Sequence, residues 1–108
     1  LIFVNDSVVA GNTIGSTKDY ALVGGTLPNS HGIYVLNSNN VTIGTDASPD
    51  TFNLSERNVI GGNLEHGIAV AGSNRVKIAG NLVGIAPSGS ALPNQVRGVN
   101  ISDSTQVL

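Results

Sequence analysis

His31-Gly32-Ile33-Tyr34-Val35 is the stretch that decides the fold, because it returns twice further along the chain. It recurs as His66-Gly67-Ile68-Ala69-Val70 and then as Arg97-Gly98-Val99-Asn100-Ile101, with steps of 35 and 31 residues between the glycines. Within each copy the aliphatic side chains occupy every second position. Alternation with period two over a few residues is typical of a short β-strand with one buried face. The chain therefore contains three equivalent strands.

Further blocks repeat in the same order around these strands and extend the self-similarity to most of the chain. Self-similarity at a period of about 30 residues indicates a repeat architecture, in which each unit buries its apolar face against its neighbours. The matching blocks are Asn40-Val41-Thr42-Ile43-Gly44 with Arg75-Val76-Lys77-Ile78-Ala79 and Thr105-Gln106-Val107, residues 10–15 with residues 79–84, and Leu27-Pro28-Asn29 with Leu92-Pro93-Asn94.

Equivalent strands this far apart in sequence are expected to stack in parallel, about 4.8 Å from one another. Asn-Gly and Asp-Gly pairs, the usual signals of a tight hairpin, are absent from the sequence. The sequence thus predicts an all-β fold, a right-handed parallel β-helix of about three coils with three short strands each and a period of 31–35 residues. The predicted strands are 40–44, 57–61 and 66–71 in the middle coil, and 75–79, 82–85 and 97–101 in the next.

Corners and insertions complete each coil. Asn12 and Asn81 are equivalent and Asn63 closes a similar corner, so we predict that asparagine side chains stack there and satisfy corner backbone groups. Three longer segments, 16–26, 45–56 and 85–91, are expected to emerge at the same stage of each coil and to form a working surface on one side. Residues 52–58 are the weak candidate for a helix, and we expect no more than a turn there.

Composition limits the classes of protein to which the chain can belong. Its 108 residues form one domain at most, and we expect residues 1–108 to be a single β-helix segment of a longer solenoid. Five Lys and Arg residues and 4% aromatics make no basic stripe with stacking rings, so no nucleic-acid partner is expected. No apolar run approaches the roughly 20 residues of a membrane span. Cysteine is absent, which excludes disulfides and thiolate metal sites.

Four side chains are the candidate functional residues. His31, His66 and Arg97 occupy equivalent positions in successive coils, which predicts a ladder of basic groups at about 4.8 Å spacing. Histidine can act as a general base and arginine can bind a carboxylate, so these three are candidate catalytic and ligand-binding residues. Tyr34 points outward by alternation beside His31 and is a candidate for stacking on a sugar ring. The alternative interpretation is that these residues have no functional role and occupy exposed corners that accept any polar side chain. No third ligand column accompanies the two histidines, so no metal site is predicted.

The motif order resembles a known family. Asn40-Val41-Thr42-Ile43-Gly44, then residues 56–63, then His66-Gly67-Ile68-Ala69-Val70 are similar to the repeats of parallel β-helix proteins of the bacterial surface and secreted type, within the pectate-lyase-like superfamily. The resemblance spans essentially the whole chain. It implies an extracellular or cell-surface location. Because that superfamily includes lyases, glycosidases, epimerases, adhesins and spacers, the resemblance specifies a fold rather than an activity.

The resemblance also implies which catalytic residues an enzyme of this superfamily would need. Its lyases hold Ca²⁺ with a cluster of Asp and Glu residues beside an Arg or Lys base, and its glycosidases use several nearby carboxylates. The seven Asp and Glu residues of this chain do not recur at equivalent positions on adjacent coils. We therefore expect no cofactor, with Ca²⁺ only under the lyase alternative.

The sequence favours a structural, adhesin-like segment that presents a loop-bearing face, with a polysaccharide or cell-surface glycan as candidate partner. One alternative is a carbohydrate-active enzyme or its non-catalytic part, which would use His31, His66, Arg97 and Tyr34. The end strands could stack on adjoining coils of a parent chain or on those of other copies. Stacking on other copies would make the chain a filament subunit, which is another alternative. In that case the size of the assemblies would grow with protein concentration, and a charge placed at Ile2 or Val107 would remove this growth.

Overall fold

A computed structural model describes residues 1–16, 29–45 and 53–108 of the chain, with the side chains of residues 53 and 54 left aside. Within these ranges there are ten strands and one helical turn. The elements are β1 Asn5–Val9, β2 Thr13–Ile14, β3 Ile33–Leu36, β4 Asn39–Gly44, α1 Asn53–Glu56, β5 Val59–Ile60, β6 His66–Ala71, β7 Asn74–Ala79, β8 Leu82–Val83, β9 Arg97–Ser102 and β10 Thr105–Val107.

The strands form three sheets in which every paired neighbour is parallel. The first sheet has the order β1-β4-β7-β10, the second β2-β5-β8 and the third β3-β6-β9. From β1 onward the chain visits the first, second and third sheets in turn and then returns to the first. This all-β architecture of three parallel sheets is compatible with a β-helix. The predicted strands match the observed ones within about two residues, and the candidate turn at 52–58 contains the single helical turn α1.

The aliphatic core follows directly from the alternation in the sequence. Ile33, Ile68 and Val99 lie opposite one another in the third sheet, and Val41, Val76 and Val107 do so in the first. The members on the inner strands are fully buried, with Ile68 0% exposed, whereas Val99 on β9 is 40% exposed. Burying one valine or isoleucine side chain contributes about 1.5–3 kcal/mol, so the repeated columns provide the main stabilisation of the fold.

Asparagine side chains stack at the corner between the first and second sheets. The Nδ2 group of Asn58 donates to the side-chain Oδ1 of Asn81 at 2.9 Å, and that of Asn12 donates to Asn58 Oδ1 at 3.1 Å. Asn58 also donates to the carbonyl of Val9 at 3.0 Å. The predicted asparagine stacking is confirmed, but the assignment of its members needs a correction. The partner between Asn12 and Asn81 is Asn58, whereas Asn63 belongs to a second stack.

The second stack lies between the second and third sheets. Asn63 donates from Nδ2 to Asn94 Oδ1 at 2.8 Å, and Asn94 donates to the carbonyl of Ile60 at 3.2 Å. A serine column occupies the remaining corner, between the third sheet and the first. There the main-chain N–H of Ser38 donates to Ser73 Oγ and that of Ser73 donates to Ser104 Oγ, each at 3.1 Å. All three corners thus carry side-chain hydrogen bonds that run from one repeat to the next.

The three insertions do not share one corner, which corrects the sequence prediction. Residues 16–26 and 85–91 both connect a strand of the second sheet to one of the third, whereas residues 45–56 lie between β4 of the first sheet and β5 of the second. Most of 16–26 and of 45–56 falls outside the described residues. The described insertion folds back on the protein. Ala86 and Leu92 are buried against Val59, whereas Ile85 and residues 87–91 are exposed.

Close packing between strands requires glycine in the first two copies of the repeated His/Arg-Gly motif, at Gly32 and Gly67. A Cβ atom on Gly67 would lie 2.7 Å from the carbonyl oxygen of Gly98 and 2.9 Å from Val83 Cγ1. The equivalent atom on Gly98 would meet only Val83 Cγ1, at 3.3 Å. We expect Gly67→Ala to lower the free energy of unfolding by about 1–3 kcal/mol through overpacking, and Gly98→Ala to lower it by less than half as much. Urea denaturation of the two variants measures both, and equal losses would contradict this account.

Candidate functional site

The candidate site lies at the start of the strands of the third sheet, where the repeated motif places its first residue. His31 comes just before β3, His66 is the first residue of β6, and Arg97 is the first residue of β9 and pairs with His66 in the parallel register. The imidazole rings of His31 and His66 are stacked, with their centroids 5.2 Å apart and an interplanar angle of 19°. The predicted alignment of these three side chains is therefore present in the structure.

Tyr34 joins the stack from the outer face of the third sheet. Its neighbours Ile33 and Val35 are buried, whereas Tyr34 is 38% exposed, as alternation requires. The phenol ring meets the His31 imidazole edge-on, with centroids 5.1 Å apart and an interplanar angle of 64°. Edge-to-face packing of this kind fixes the orientation of both rings. The structure thus brings all four predicted residues to one edge of one sheet.

Glu65 is the member of this group that sequence reasoning did not identify. Its Oε2 lies 3.2 Å from His31 Nε2, and the side chains are 54% and 20% exposed, respectively. The signal was available in the motif, because Glu65 directly precedes His66 and so lies at the same corner as His31. The main chain of Glu65 is also held, since its carbonyl accepts the N–H of Val96 at 2.9 Å.

Arg97 is fixed by an amide on its own strand. Its Nη1 donates to Asn100 Oδ1 at 2.8 Å, and Asn100 lies opposite Ala69 in the sheet. Because Ala69 lies opposite Tyr34, the outward row reads Tyr34, Ala69, Asn100. An aromatic ring and an amide therefore flank a small residue on the exposed side of the sheet.

The histidine ring nitrogens limit the chemistry that the site can perform. If Nε2 of His31 carries the proton shared with Glu65, the neutral ring has its acceptor at Nδ1. The Nδ1 atoms of His31 and His66 are both buried and without a hydrogen-bond partner. Among residues 1–16, 29–45 and 53–108, no group of three or more His, Cys, Asp or Glu residues could hold a metal ion. The arrangement offers a carboxylate, a phenol and a guanidinium to a polar ligand, beside two stacked imidazoles whose Nδ1 atoms are buried.

The comparisons with known proteins give no family. No protein-family model matches the chain, and no curated protein or solved structure matches it. Within the described part of the chain, no helix is long and apolar enough to span a membrane.

Proposed function

We propose that this chain is a segment of a right-handed parallel β-helix, of the pectate-lyase-like type, that serves as a structural, adhesin-like scaffold in an extracellular bacterial protein. The role is passive. The stacked strands hold an exposed face in register, and that face meets a polysaccharide or cell-surface glycan. The resemblance of the repeated motifs to secreted and surface β-helix proteins supports the location.

The observation that carries this proposal is the continuity of side-chain hydrogen bonds through all three corners. At each corner a side-chain oxygen accepts a hydrogen bond from the repeat before it, and the acceptors are those of Asn58, Asn81, Asn94, Ser73 and Ser104. Every repeat is thereby fixed to both neighbours at the corners as well as along the strands. A protein built in this way resists bending between repeats, because a change of angle would break corner bonds and strand bonds together. Stiffness along the stack suits a scaffold.

The surface most suited to presentation is the corner between the second and third sheets. Insertions 16–26 and 85–91 both lie between a strand of the second sheet and a strand of the third. His31 and Arg97 follow these insertions at the start of the third-sheet strands. In the described insertion Ile85 and residues 87–91 are exposed, and Ser88 and Ser90 supply its hydroxyl groups. The main-chain N–H of Ala86 donates to the carbonyl of Ser90 at 2.8 Å. A glycan at this corner would meet hydroxyl groups, amides and the Tyr34 ring.

A carbohydrate-active enzyme is the second candidate, and the alignment of His31, His66 and Arg97 at one edge of the third sheet is the observation that favours it. Glu65 binds Nε2 of His31 and the Nδ1 of that ring is buried, so His66 would be the general base. Arg97 would bind an acidic group of the substrate, and His66 and Tyr34 would line the cleft. Stacking of whole copies into filaments stays a prediction.

A combined retention and turnover assay separates these functions. The chain is passed over immobilised pectic, alginate and neutral polysaccharides, with and without Ca²⁺, while unsaturated products and new reducing ends are measured. We expect retention on at least one polysaccharide without product. Product above that of a denatured control would overturn the passive scaffold and favour the enzyme.

Two sets of variants sharpen this assay. We expect replacement of residues 87–90 by a turn of the same length to abolish retention, because Ala86 and Leu92 keep the insertion packed while its exposed groups change. We expect His66→Ala to leave retention within about twofold of the wild type. In an enzyme, His66→Ala or Arg97→Ala would instead remove turnover by about 100-fold or more with folding intact. If His66→Ala lost retention on the polysaccharide and the loop variant kept it, the proposal that the insertion 85–91 binds the glycan would be wrong.

A further inference from the structure

A second surface feature lies on the outer face of the first sheet, away from the histidine stack. It is a trough with a volume of about 530 Å³. Two outward columns line it, and they come from successive strands of this sheet. One column consists of Asn40, Arg75 and Gln106, and the other of Thr42, Lys77 and Leu108, with Val76 between them. We name this feature the Arg75 trough.

The first of these columns has an unusual backbone. Asn40, Arg75 and Gln106 have positive φ angles of 57°, 54° and 52°, and Asp6 continues the column on β1 with 54°. Their neighbours on both sides pair across the sheet, as Asn39 does with Asn74 and Val41 with Val76. The left-handed residue therefore recurs at the same register position in all four strands, and its members on β4, β7 and β10 line one side of the trough.

Keeping a long side chain in this conformation has a cost that glycine would avoid. The left-handed region disfavours residues with a Cβ atom by about 1–2 kcal/mol, and glycine is free of this penalty. The chain uses glycine at other left-handed positions, for example Gly11 and Gly80. In this column it retains Asp, Asn, Arg and Gln instead. Of these, Arg75 and Gln106 bear the cost, because aspartate and asparagine tolerate the left-handed region, and a strained backbone at these two positions is a reason to look for a use of their side chains.

Arg75 is the central charge of the trough and is held in place. Its Nε donates to Asn39 Oδ1 at 3.2 Å, and the same oxygen accepts from Asn74 Nδ2 at 3.4 Å. Among the residues that the structure describes, no carboxylate side chain lines the trough. The carboxylate closest in the column, that of Asp6, accepts a hydrogen bond of 2.6 Å from Asn40 Nδ2. Among the described residues, no carboxylate side chain forms an ion pair with Arg75.

We propose that the Arg75 trough binds the oxyanion group of a ligand. The terminal nitrogens of a guanidinium form paired hydrogen bonds with carboxylate, sulfate or phosphate oxygens. Asn40, Thr42 and Gln106 add neutral donors around the same space, and the Leu108 side chain gives one apolar wall. The site is separate from the histidine stack, which lies on the third sheet, and it is independent of the scaffold proposed above.

Titration followed by amide NMR spectra of the whole chain tests this site. Sodium sulfate, sodium phosphate and sodium acetate are added in separate arms, each against sodium chloride at equal ionic strength, because screening alone also moves amide signals. We expect saturable shifts at Thr42, Arg75 and Gln106 in at least one arm. The arm that saturates at the lowest concentration shows whether a tetrahedral ester or a carboxylate is preferred. Shifts that follow ionic strength equally in all arms would overturn the proposal.

The decisive variant is Arg75→Asn, since Asn already occupies this column at position 40 and tolerates the left-handed backbone. We expect it to weaken binding by about tenfold or more while thermal stability stays within a few degrees of the wild type. Arg57→Gln removes the same charge outside the trough and should leave the dissociation constant within about twofold. Equal weakening in both variants would reduce the effect to net charge and refute a specific site, and binding unchanged in Arg75→Asn would refute it as well.

Discussion

Replacing Asn58 by alanine is expected to lower the free energy of unfolding by about 3 kcal/mol, although the change removes only a small polar side chain. Asn58 is 0% exposed and is the central member of its corner stack. Without its amide, the carbonyl of Val9 and the Oδ1 of Asn81 each lose a donor, and the N–H of Asn12 loses an acceptor at 3.0 Å. Buried groups left unpaired cost about 1–3 kcal/mol each, and the vacated volume adds to that cost.

Asn12→Ala is the matched control in the same column. Asn12 is exposed at the first repeat, and its side chain donates to Asn58 Oδ1 and to the carbonyl of Ala10 at 2.9 Å. Water can replace both bonds there, so we expect a loss below about 1 kcal/mol. Urea denaturation with an unchanged m-value measures the two losses on one scale. Equal losses at both positions would show that the stack acts through its polarity alone and not through burial.

The strands of this fold could be predicted because two simple signals agreed. Repeated blocks identified equivalent segments, and alternation within each block identified the buried face, as with Ile68 and Val70 in β6. The order of the three sheets followed from the same repeats. What the repeats could not show was which corner each residue turns. Asn63 follows a Val-Ile-Gly-Gly run that resembles the block containing Asn81, but the partner of Asn81 is Asn58, which precedes its strand.

The sequence predicted that His31, His66 and Arg97 align in the candidate site, but it did not predict the contact of Glu65 with His31. The one-coil spacing of His31 and His66 was enough to place their rings together, because parallel strands in register bring equivalent residues side by side. The position of Glu65 directly before His66 places it at the corner of His31, but whether its carboxylate reaches the His31 ring depends on the path of the chain around that corner. The Arg75 trough was missed for a different reason. Its left-handed column contains Arg and Gln, and neither residue type signals a positive φ angle.

The wrong grouping of the insertions has the same origin. Both 45–56 and 85–91 interrupt the repeated blocks, and the sequence alone does not show which sheets each segment connects. The strand order shows that 45–56 leaves the first sheet, so it lies at a different corner from 16–26 and 85–91. A loop-bearing face can therefore include only the latter two, which narrows the surface on which a partner should be sought.

Gly44→Ala is expected to have a still larger effect than Asn58→Ala and to leave most of the chain unfolded. Gly44 ends β4 with a φ angle of +100°, and a Cβ atom there would overlap the carbonyl oxygen of Ala79 and lie 2.7 Å from Asn81 Oδ1. Two penalties add at this position. The backbone conformation costs about 1–2 kcal/mol for alanine, and the overlap costs about 1–3 kcal/mol or more because strand and corner are both fixed. A total near 4 kcal/mol is comparable to the stability of many small domains.

Two other glycines separate these penalties. Gly89 has a φ angle of +92° with no atom within 4 Å of its built Cβ, so Gly89→Ala should show the backbone penalty alone, about 1–2 kcal/mol. Gly67 has no positive φ angle but is crowded, so Gly67→Ala should show the packing penalty alone. Circular dichroism and urea denaturation of the three variants give the comparison. If Gly44→Ala were no worse than Gly89→Ala, the Ala79 carbonyl and the Asn81 amide would have room to move. The corners would then be far more pliable than a stiff scaffold requires.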